Sequence, residues 1–264
     1  MIKVLCLGDI FGRPGRRLVR EMVPRLVDEY EVDLVVANVE NASGGLGLTI
    51  QAAEELFRSG VEVQTSGNHI FRHKEIYSFL DHEERLIRPA NYPPPSPGRG
   101  SVLVRTAAGV PVGVINVMGR TYMTPLDCPF RAADREVRVL KEAGARVILV
   151  DVHAEATSEK RAMGWHLAGR VGAVFGTHTH VQTADEGLLP GGTAYISDLG
   201  MTGPHRSIIG MKTEAVLERF LTGRPARFEV AARGLRLEGV VIGLDPTDGQ
   251  AINIERFQVN REEN

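Results

Sequence analysis

The 264-residue chain has few cysteines and no long hydrophobic run. Its two cysteines, Cys6 and Cys128, lie far apart, and Cys6 falls within an apolar stretch. This pattern argues against a disulfide framework and favours a reducing environment. No run approaches the roughly 18 apolar residues of a membrane span, and the N-terminus does not have the pattern of a signal peptide. We therefore expect a cytoplasmic protein without a membrane segment.

An excess of charge of one sign is also missing. The formal net charge is −2, and both signs are mixed along the chain. This balance gives no basis for general binding to nucleic acids or anionic membranes, although it is compatible with a specific nucleotide site. With 43% hydrophobic and 24% charged residues, the composition is that of an ordinary globular protein. We expect one domain over residues 1–264.

Strand and helix patterns alternate along most of the chain. Apolar strands are predicted at residues 2–7, 34–37, 61–65, 147–152, 171–175 and 194–197. Helices are predicted at residues 16–30, 49–59, 74–82, 130–143, 158–166 and 213–221, with Thr49 and Ser158 as N-caps and Pro24 as a kink. This alternation favours an α/β fold.

The remaining segments complete the prediction. A hairpin is expected at residues 101–117, around Ala108-Gly109, and the proline-rich residues 93–97 are expected to form a surface loop. Residues 200–205 are predicted to be a loop. Alternating strands at 227–231 and 235–244 suggest an antiparallel end to the chain.

Polar residues follow five of the predicted strands. They are Asp9, Glu40, Asn41, Asn68, His69, His153, His178 and His180. Because strand ends on one side of an open α/β sheet form the crevice where ligands bind, we expect these side chains to converge. Nitrogen and oxygen donors without cysteine suit Mn, Fe or Zn. A single catalytic zinc takes about three protein ligands, so a set of seven donors, excluding His69, implies two metals with a bridging carboxylate.

Each residue taken singly has another interpretation. Asp9 could be a helix N-cap, and Glu40 and Asn41 could organise the glycine-rich loop that follows them. Asn68 could form an Asx-turn, and His153 could be a buried structural histidine. The two histidines after Gly176 could be exposed loop residues. Their joint placement at strand ends is what favours a metal site.

The motifs Gly67-Asn68-His69, His153 and Gly176-x-His178-x-His180 resemble the Gly-Asn-His, His and Gly-His-x-His motifs of the calcineurin-like metallophosphoesterases, in the same order. Two motifs depart from that superfamily. Phe11 stands where its Asp-x-His motif has histidine, and Asn38-Val-Glu-Asn41 replaces its Gly-Asp-x-x-Asp motif. Both departures, together with residues 8–15, 153–160, 176–185 and 198–204, resemble the YmdB-type bacterial cyclic-nucleotide phosphodiesterase branch over nearly the whole chain.

This resemblance implies a four-layer αββα sandwich of two mixed sheets flanked by helices, with two metal ions, Fe or Mn before Zn. One ion would be held by Asp9, Glu40, Asn41 and His180. The other would be held by Glu40, Asn68, His153 and His178. Glu40 would bridge the ions, Asn41 would replace the histidine missing at Phe11, and His69 would be the proton donor.

The implied substrates are small cyclic nucleotides, with 2′,3′-cyclic nucleotides favoured and 3′,5′-cyclic AMP as another candidate. Glu155 and Asp185 are candidate partners of the ligand imidazoles, and Arg120 and His205 are weaker candidates for phosphate contacts. A homo-oligomer is one option for the quaternary structure.

Other functions stay open. A phosphomonoesterase, a dinuclear amidohydrolase or peptidase could use similar ligands, and a regulatory binding module could carry structural metals. The glycines at 8, 12 and 15 have neither the dinucleotide-binding nor the P-loop spacing.

Overall fold

Buried strands alternate with helices in the computed structural model, which describes residues 1–261. The helices are α1 (Gly12–Tyr30), α2 (Ile50–Arg58), α3 (Ile76–His82), α4 (Pro129–Glu142), α5 (Thr157–Leu167) and α6 (Thr213–Thr222). The strands are β1 (Ile2–Leu7), β2 (Asp9–Ile10), β3 (Leu34–Asn38), β4 (Val63–Thr65), β5 (Ser101–Arg105), β6 (Pro111–Met118), β7 (Val147–His153), β8 (Ala173–Thr177), β9 (Gly187–Leu189), β10 (Thr193–Ile196), β11 (Met201–Pro204), β12 (Leu235–Leu244) and β13 (Ala251–Asn260).

These strands form two mixed sheets. The first has the order β2-β11-β12-β1-β3-β4, with β13 paired to β12, and the second has the order β5-β6-β7-β8-β10-β9. Strands β1, β3 and β4 are parallel, whereas β12 is antiparallel to β1 and to β13. In the second sheet β6, β7, β8 and β10 are parallel, and β5 and β9 are antiparallel at the edges.

Alternating side chains on each strand face different layers. The inner faces of both sheets share one core, which includes Val4 and Val36 from the first sheet and Val114 and Phe175 from the second. The other face of the first sheet packs on α1, α2 and α3, and the other face of the second packs on α4 and α5. The predicted four-layer αββα arrangement of two mixed sheets flanked by helices is confirmed.

The structure corrects several local predictions. Residues 201–204, predicted to be a loop, form β11, because they pair with β2 on one side and with β12 on the other. Residues 227–231, predicted to be a strand, make one isolated bridge, between Val230 and Met211. Ser158 lies inside α5 and is not its N-cap; the cap is Ala156, which makes no side-chain capping bond. Helix α1 begins at Gly12, earlier than predicted.

Other boundaries follow the sequence closely. Thr49 caps α2 by accepting a hydrogen bond from the Ala52 amide, as predicted. Pro24 lies within α1. None of the helices in residues 1–261 is long and apolar enough to cross a membrane.

Candidate metal centre

The carboxyl ends of the parallel strands from both sheets meet at one edge of the sandwich. Asp9 follows β1 in the first sheet, and His153 ends β7 in the second. The two sheets are joined there, because the His178 amide donates to Asp9 Oδ2 (3.0 Å) and Asn38 Nδ2 donates to Asp151 Oδ2 (3.1 Å). The expected convergence of the strand ends is therefore present.

The histidine pair sits on a turn that leaves β8. His178 and His180 have φ of 95° and 63°, a left-handed conformation that is uncommon outside glycine. The Asp198 carboxylate holds the residue between them by accepting hydrogen bonds from the Thr179 amide (3.2 Å) and hydroxyl. Lys160 Nζ in turn donates to Asp198 at 2.7 Å. These bonds keep both imidazoles aimed at the same edge.

Glu40, His153 and His178 form the most compact group, with one potential ligand atom from each lying within 4.8 Å of the others. His153 Nε2 lies 3.0 Å from Glu40 Oε1 and 3.1 Å from His178 Nδ1. Asn68 Oδ1 lies 3.0 Å from the same His153 nitrogen. Gly67 permits this crowding, since a Cβ there would come within 2.2 Å of His153.

Hydrogen bonds on the far side of each imidazole determine which nitrogen faces the cluster. Thr177 Oγ1 donates to Asp151 Oδ1 (2.7 Å), so it accepts from His153 Nδ1 (2.9 Å) and leaves His153 Nε2 toward the cluster. His178 turns Nε2 to Glu155 (3.2 Å) and presents Nδ1. Such partners orient metal-binding histidines in known metal sites.

A second group surrounds His180. His180 Nδ1 donates to the Ile209 carbonyl (3.1 Å), and its Nε2 faces Asn41 Nδ2 (3.1 Å) and Asp9 Oδ1 (3.5 Å). Asn41 therefore presents its amide nitrogen, which has no lone pair for a cation, and its oxygen accepts from His69 (2.9 Å). To act as a ligand, Asn41 has to turn its amide over so that the oxygen faces the site.

His69 lies at the open side of these groups, with 32% of its side chain exposed. Its amide donates to Glu40 Oε2 (2.9 Å), and its Nδ1 lies 3.2 Å from Glu40 Oε1. Glu40 is fully buried and contacts both His69 and His153, so it stands at the centre of the network. All eight residues predicted at strand ends are thus brought together.

The electrostatics of the group are dominated by burial and mutual charge. Burial raises the pKa of Glu40, but the charge and hydrogen bond of His153 outweigh it and hold that pKa well below its usual range. Burial lowers the pKa of His153, whereas Glu40 and Asp9 raise it to about 9. Burial and the neighbouring His153 lower the pKa of His178 to about 3. The carboxylates are therefore ionised and attract cations.

The donor set fits metal ions. His153 Nε2, His178 Nδ1, Glu40 Oε1 and Asn68 Oδ1 lie in one small region, where a metal ion would take the place of the proton that His153 shares with Glu40. Asp9 Oδ1 is buried and has no hydrogen-bond partner among the described residues. Nitrogen and oxygen ligands of this kind suit Mn, Fe or Zn.

The structure shows different contacts for the weaker candidates, which are Glu155, Asp185, His205 and Arg120. Glu155 contacts His178, as predicted. Asp185 does not reach an imidazole; it accepts bonds from Ser197, Thr183 and Arg161 instead, because its loop folds back over β10. His205 lies 3.0 Å from the Met201 carbonyl, and the Arg120 amide donates to Glu159.

Several supporting residues were missed by the sequence interpretation, namely Asn38, Asp151, Lys160, Thr177 and Asp198. Asp151 could have been noticed in the sequence, because it is a lone carboxylate inside the apolar run of β7. Burial in the structure raises its pKa to about 6. The sequence did not indicate a buried role for Lys160, because a lysine on a helix is ordinarily solvent-exposed.

A cavity of about 400 Å³ opens beside the cluster. His69, His178 and His180 line one wall. Phe11 also lines the cavity, and its ring lies at 77° to that of His180 with the centroids 5.4 Å apart.

The sandwich of two mixed sheets flanked by helices is also found in a protein of low sequence identity. A 5′-nucleotidase precursor from Thermus thermophilus shares the fold, with a TM-score of 0.57, 14% identity, and 98% of this chain and 54% of that chain covered. Residues 5–257 match the family model of the YmdB-like protein. The chain belongs to the YmdB-like family.

Two relatives match over nearly their full length. A protein from Bacillus subtilis strain 168 named 2′,3′-cyclic-nucleotide 2′-phosphodiesterase is 48% identical over 261 residues, covering 98% of this chain and 97% of that protein. The crystal structure of a hypothetical protein from Thermus thermophilus superposes with a TM-score of 0.92 and 43% identity, covering 99% of this chain and 100% of that one. The predicted family and enzyme class, a hydrolase of phosphoric esters, are confirmed.

Proposed function

We propose that the protein is a phosphodiesterase that hydrolyses small cyclic nucleotides, 2′,3′-cyclic nucleotides in particular, with two metal ions, Fe or Mn, in the strand-edge site. The observation that supports it most directly is the convergence of Glu40, His153 and His178 beside a cavity whose wall includes His69. The name of the Bacillus subtilis relative supports the choice of substrate.

The ligand assignment uses the two groups described above. One ion would be held by Asp9, Glu40, His180 and, with its amide turned over, Asn41. The other would be held by Glu40, Asn68, His153 and His178. A role for Glu40 in both sets agrees with its central, fully buried position. Two ions bound there would supply charge neutralisation at the phosphoryl oxygens and a water of lowered pKa as the nucleophile.

His69 is the proton donor. Because its Nδ1 is engaged by Asn41 and Glu40, Nε2 is the nitrogen that delivers a proton to the ribose oxygen leaving phosphorus. General acid catalysis of this kind typically contributes about 10²–10⁴-fold. The contribution is largest for a poor leaving group such as a ribose alkoxide, which favours a cyclic nucleotide diester over an activated ester.

The substrate assignment is tested by comparing kcat/KM for 2′,3′-cyclic AMP, 3′,5′-cyclic AMP, 3′-AMP and 5′-AMP on one preparation reconstituted with Mn or Fe. We expect the 2′,3′-cyclic diester to be hydrolysed best. A clear preference for a monophosphate would reassign the protein as a phosphomonoesterase. Hydrolysis of none of them by a metal-loaded preparation would favour a binding module.

A further inference from the structure

The cavity beside the metal centre has a second wall of different chemistry. This apolar wall consists of Leu46, Ile208, Ile209, Met211, Phe220 and Phe228. It comes from three separate parts of the chain: the glycine-rich loop after β3, the segment before α6, and α6 with the residues that follow it. The histidines of the metal centre line the same cavity, and His180 Nδ1 bonds to the Ile209 carbonyl (3.1 Å), so a ligand held at the centre lies beside the apolar wall.

Three of the six side chains of the apolar wall, those of Leu46, Ile209 and Phe220, are exposed to solvent. Phe220 is 78% exposed and Ile209 is 53% exposed, although both line the cavity. Met211 belongs to a small core cluster, with Ile208 and Phe228 packed against it. Exposed apolar side chains beside a polar centre, such as Phe220, instead mark a binding site. Helix α6 buries only Val216 among its described residues, so the fold does not need Phe220. The exposed ring is therefore available to a ligand.

We propose that the apolar wall binds the nucleobase of the substrate by stacking, with Phe220 as a specificity-determining residue; this inference rests on the proposed function. A nucleoside cyclic phosphate has a charged end for the metal centre and a flat base whose face can stack on the apolar wall. The cavity volume of about 400 Å³ lies within the range of small-molecule sites, roughly 300–1,000 Å³. The two walls match the two ends of one mononucleotide.

The chemistry of the wall also determines which bases it accepts. Its six side chains carry no hydrogen-bonding group, and every nucleobase has a π-face that stacks on a phenyl ring. Recognition by the wall is therefore by stacking and not by the base edges. Arg219, which also lines the cavity, lies over the Phe228 ring with its guanidinium carbon 5.4 Å from the centroid. We expect all four bases to be accepted, with kcat/KM values within roughly tenfold, since stacking is tolerant of base identity.

The test uses Phe220→Ala and the matched control Leu221→Ala. Leu221 is adjacent on α6 and 82% exposed, but it does not line the cavity. Each metal-loaded variant is assayed with adenosine 2′,3′-cyclic phosphate and with 1-O-methylribose 2′,3′-cyclic phosphate, which lacks the base. Phe220→Ala should lower kcat/KM for the adenosine substrate by roughly 5- to 100-fold, the range for one stacked base.

The base-free substrate reports on the metal centre alone. Phe220→Ala should leave its kcat/KM within about twofold of the wild type, and Leu221→Ala should leave both substrates unchanged. An equal loss on both substrates, or no loss on either, would overturn the base-binding assignment. Equal kcat/KM values of the wild type for the base-free and the adenosine substrate would also overturn the base-binding assignment. The proposed function would then still hold. If the wild type hydrolyses neither, the proposed function fails and this inference fails with it.

Discussion

Lys160 on α5 and Asp198 after β10 form a buried ion pair directly beneath the turn that carries His178 and His180. Lys160 Nζ lies 2.7 Å from Asp198 Oδ2, and the side chains are 3% and 1% exposed. The same carboxylate accepts from the Thr179 amide and hydroxyl and from the Gly200 amide (2.8 Å). The left-handed turn is thus fixed by a charge that is itself neutralised by Lys160.

Lys160→Met should destabilise the protein by about 3–5 kcal/mol, because it leaves the Asp198 carboxylate buried and uncompensated. Urea unfolding of the wild type and the variant measures the difference. The double variant Lys160→Met with Asp198→Asn removes the charge as well, and it should recover part of the loss. A loss below about 1 kcal/mol in the single variant would show that Asp198 does not depend on Lys160.

The fold was largely predictable because its central strands, such as β3 and β7, are buried along their whole length and appear in the sequence as apolar runs. The polar residues that interrupt those runs, such as Asp9 and His153, mark the strand ends and hence the site. β11 was not predictable in this way, because residues 201–204 become a strand only by pairing with β2 and with β12, which are both distant in the chain. Local periodicity does not encode such a partner.

The residues that support the candidate ligands could not be predicted from the sequence either. Thr177 and Asp151 meet because β7 and β8 are neighbours in parallel register. The sequence of neither strand indicates this pairing. The apolar wall combines Leu46 with Phe220, which are far apart in sequence. The ligand types were therefore readable from the sequence, whereas the tautomers and the shape of the cavity required the packed structure.

Thr177→Val should weaken metal binding by roughly 10–100-fold, the usual effect of removing a residue that orients a ligand histidine. Valine has a similar shape but does not accept the His153 Nδ1 proton, so the imidazole loses its fixed tautomer. Thr65→Val is the matched control, because Thr65 also donates to Asp151 but does not touch His153. Competition with a chromophoric chelator measures the affinities. Equal losses of metal affinity in both variants would mean that the hydrogen bonds to Asp151 are responsible, and not the bond between Thr177 and His153.

Glu40→Gln should disturb both metal positions, whereas Asp9→Asn should weaken mainly one. The reason is that Glu40 lies between the two groups of donors, while the Asp9 carboxylate faces the His180 imidazole and reaches the other group only at the His178 amide. Elemental analysis after reconstitution with Mn or Fe should give close to two equivalents for the wild type, less than one for Glu40→Gln and about one for Asp9→Asn. A wild-type stoichiometry of one with full activity would contradict a shared Glu40.

His69→Ala should retain the metals and lose about 10²–10⁴-fold in kcat on 2′,3′-cyclic AMP, the range for a general acid. The loss should be smaller for an activated aryl phosphodiester, whose leaving group needs no proton. His82→Ala removes an exposed histidine that contacts the Ser78 carbonyl on α3, and it serves as the control. Equal losses on both substrates, with chemistry limiting the rate, would rule out the proton-donor role.

Asp185 provides a pH-dependent test of the loop that follows the histidine pair. Burial raises the pKa of Asp185, but bonds from Ser197, Thr183 and Arg161 outweigh it, so the folded pKa lies below the ordinary value. A group whose pKa is lowered on folding stabilises the protein above its unfolded pKa, about 3.9 for aspartate. That contribution is lost as the pH falls through the folded pKa.

Asp185→Asn should therefore lower the free energy of unfolding by about 1 kcal/mol at pH 7, a figure reduced because the side chain is 31% exposed. The difference from the wild type should shrink steadily below pH 4. Glu186→Gln removes the neighbouring carboxylate, whose partner is Arg256 (3.0 Å), and should cost about 0.5 kcal/mol or less. Urea unfolding of the three proteins between pH 3 and 7 measures both effects. A difference for Asp185→Asn that stays constant over this range would mean that its charge makes no contribution to holding the loop.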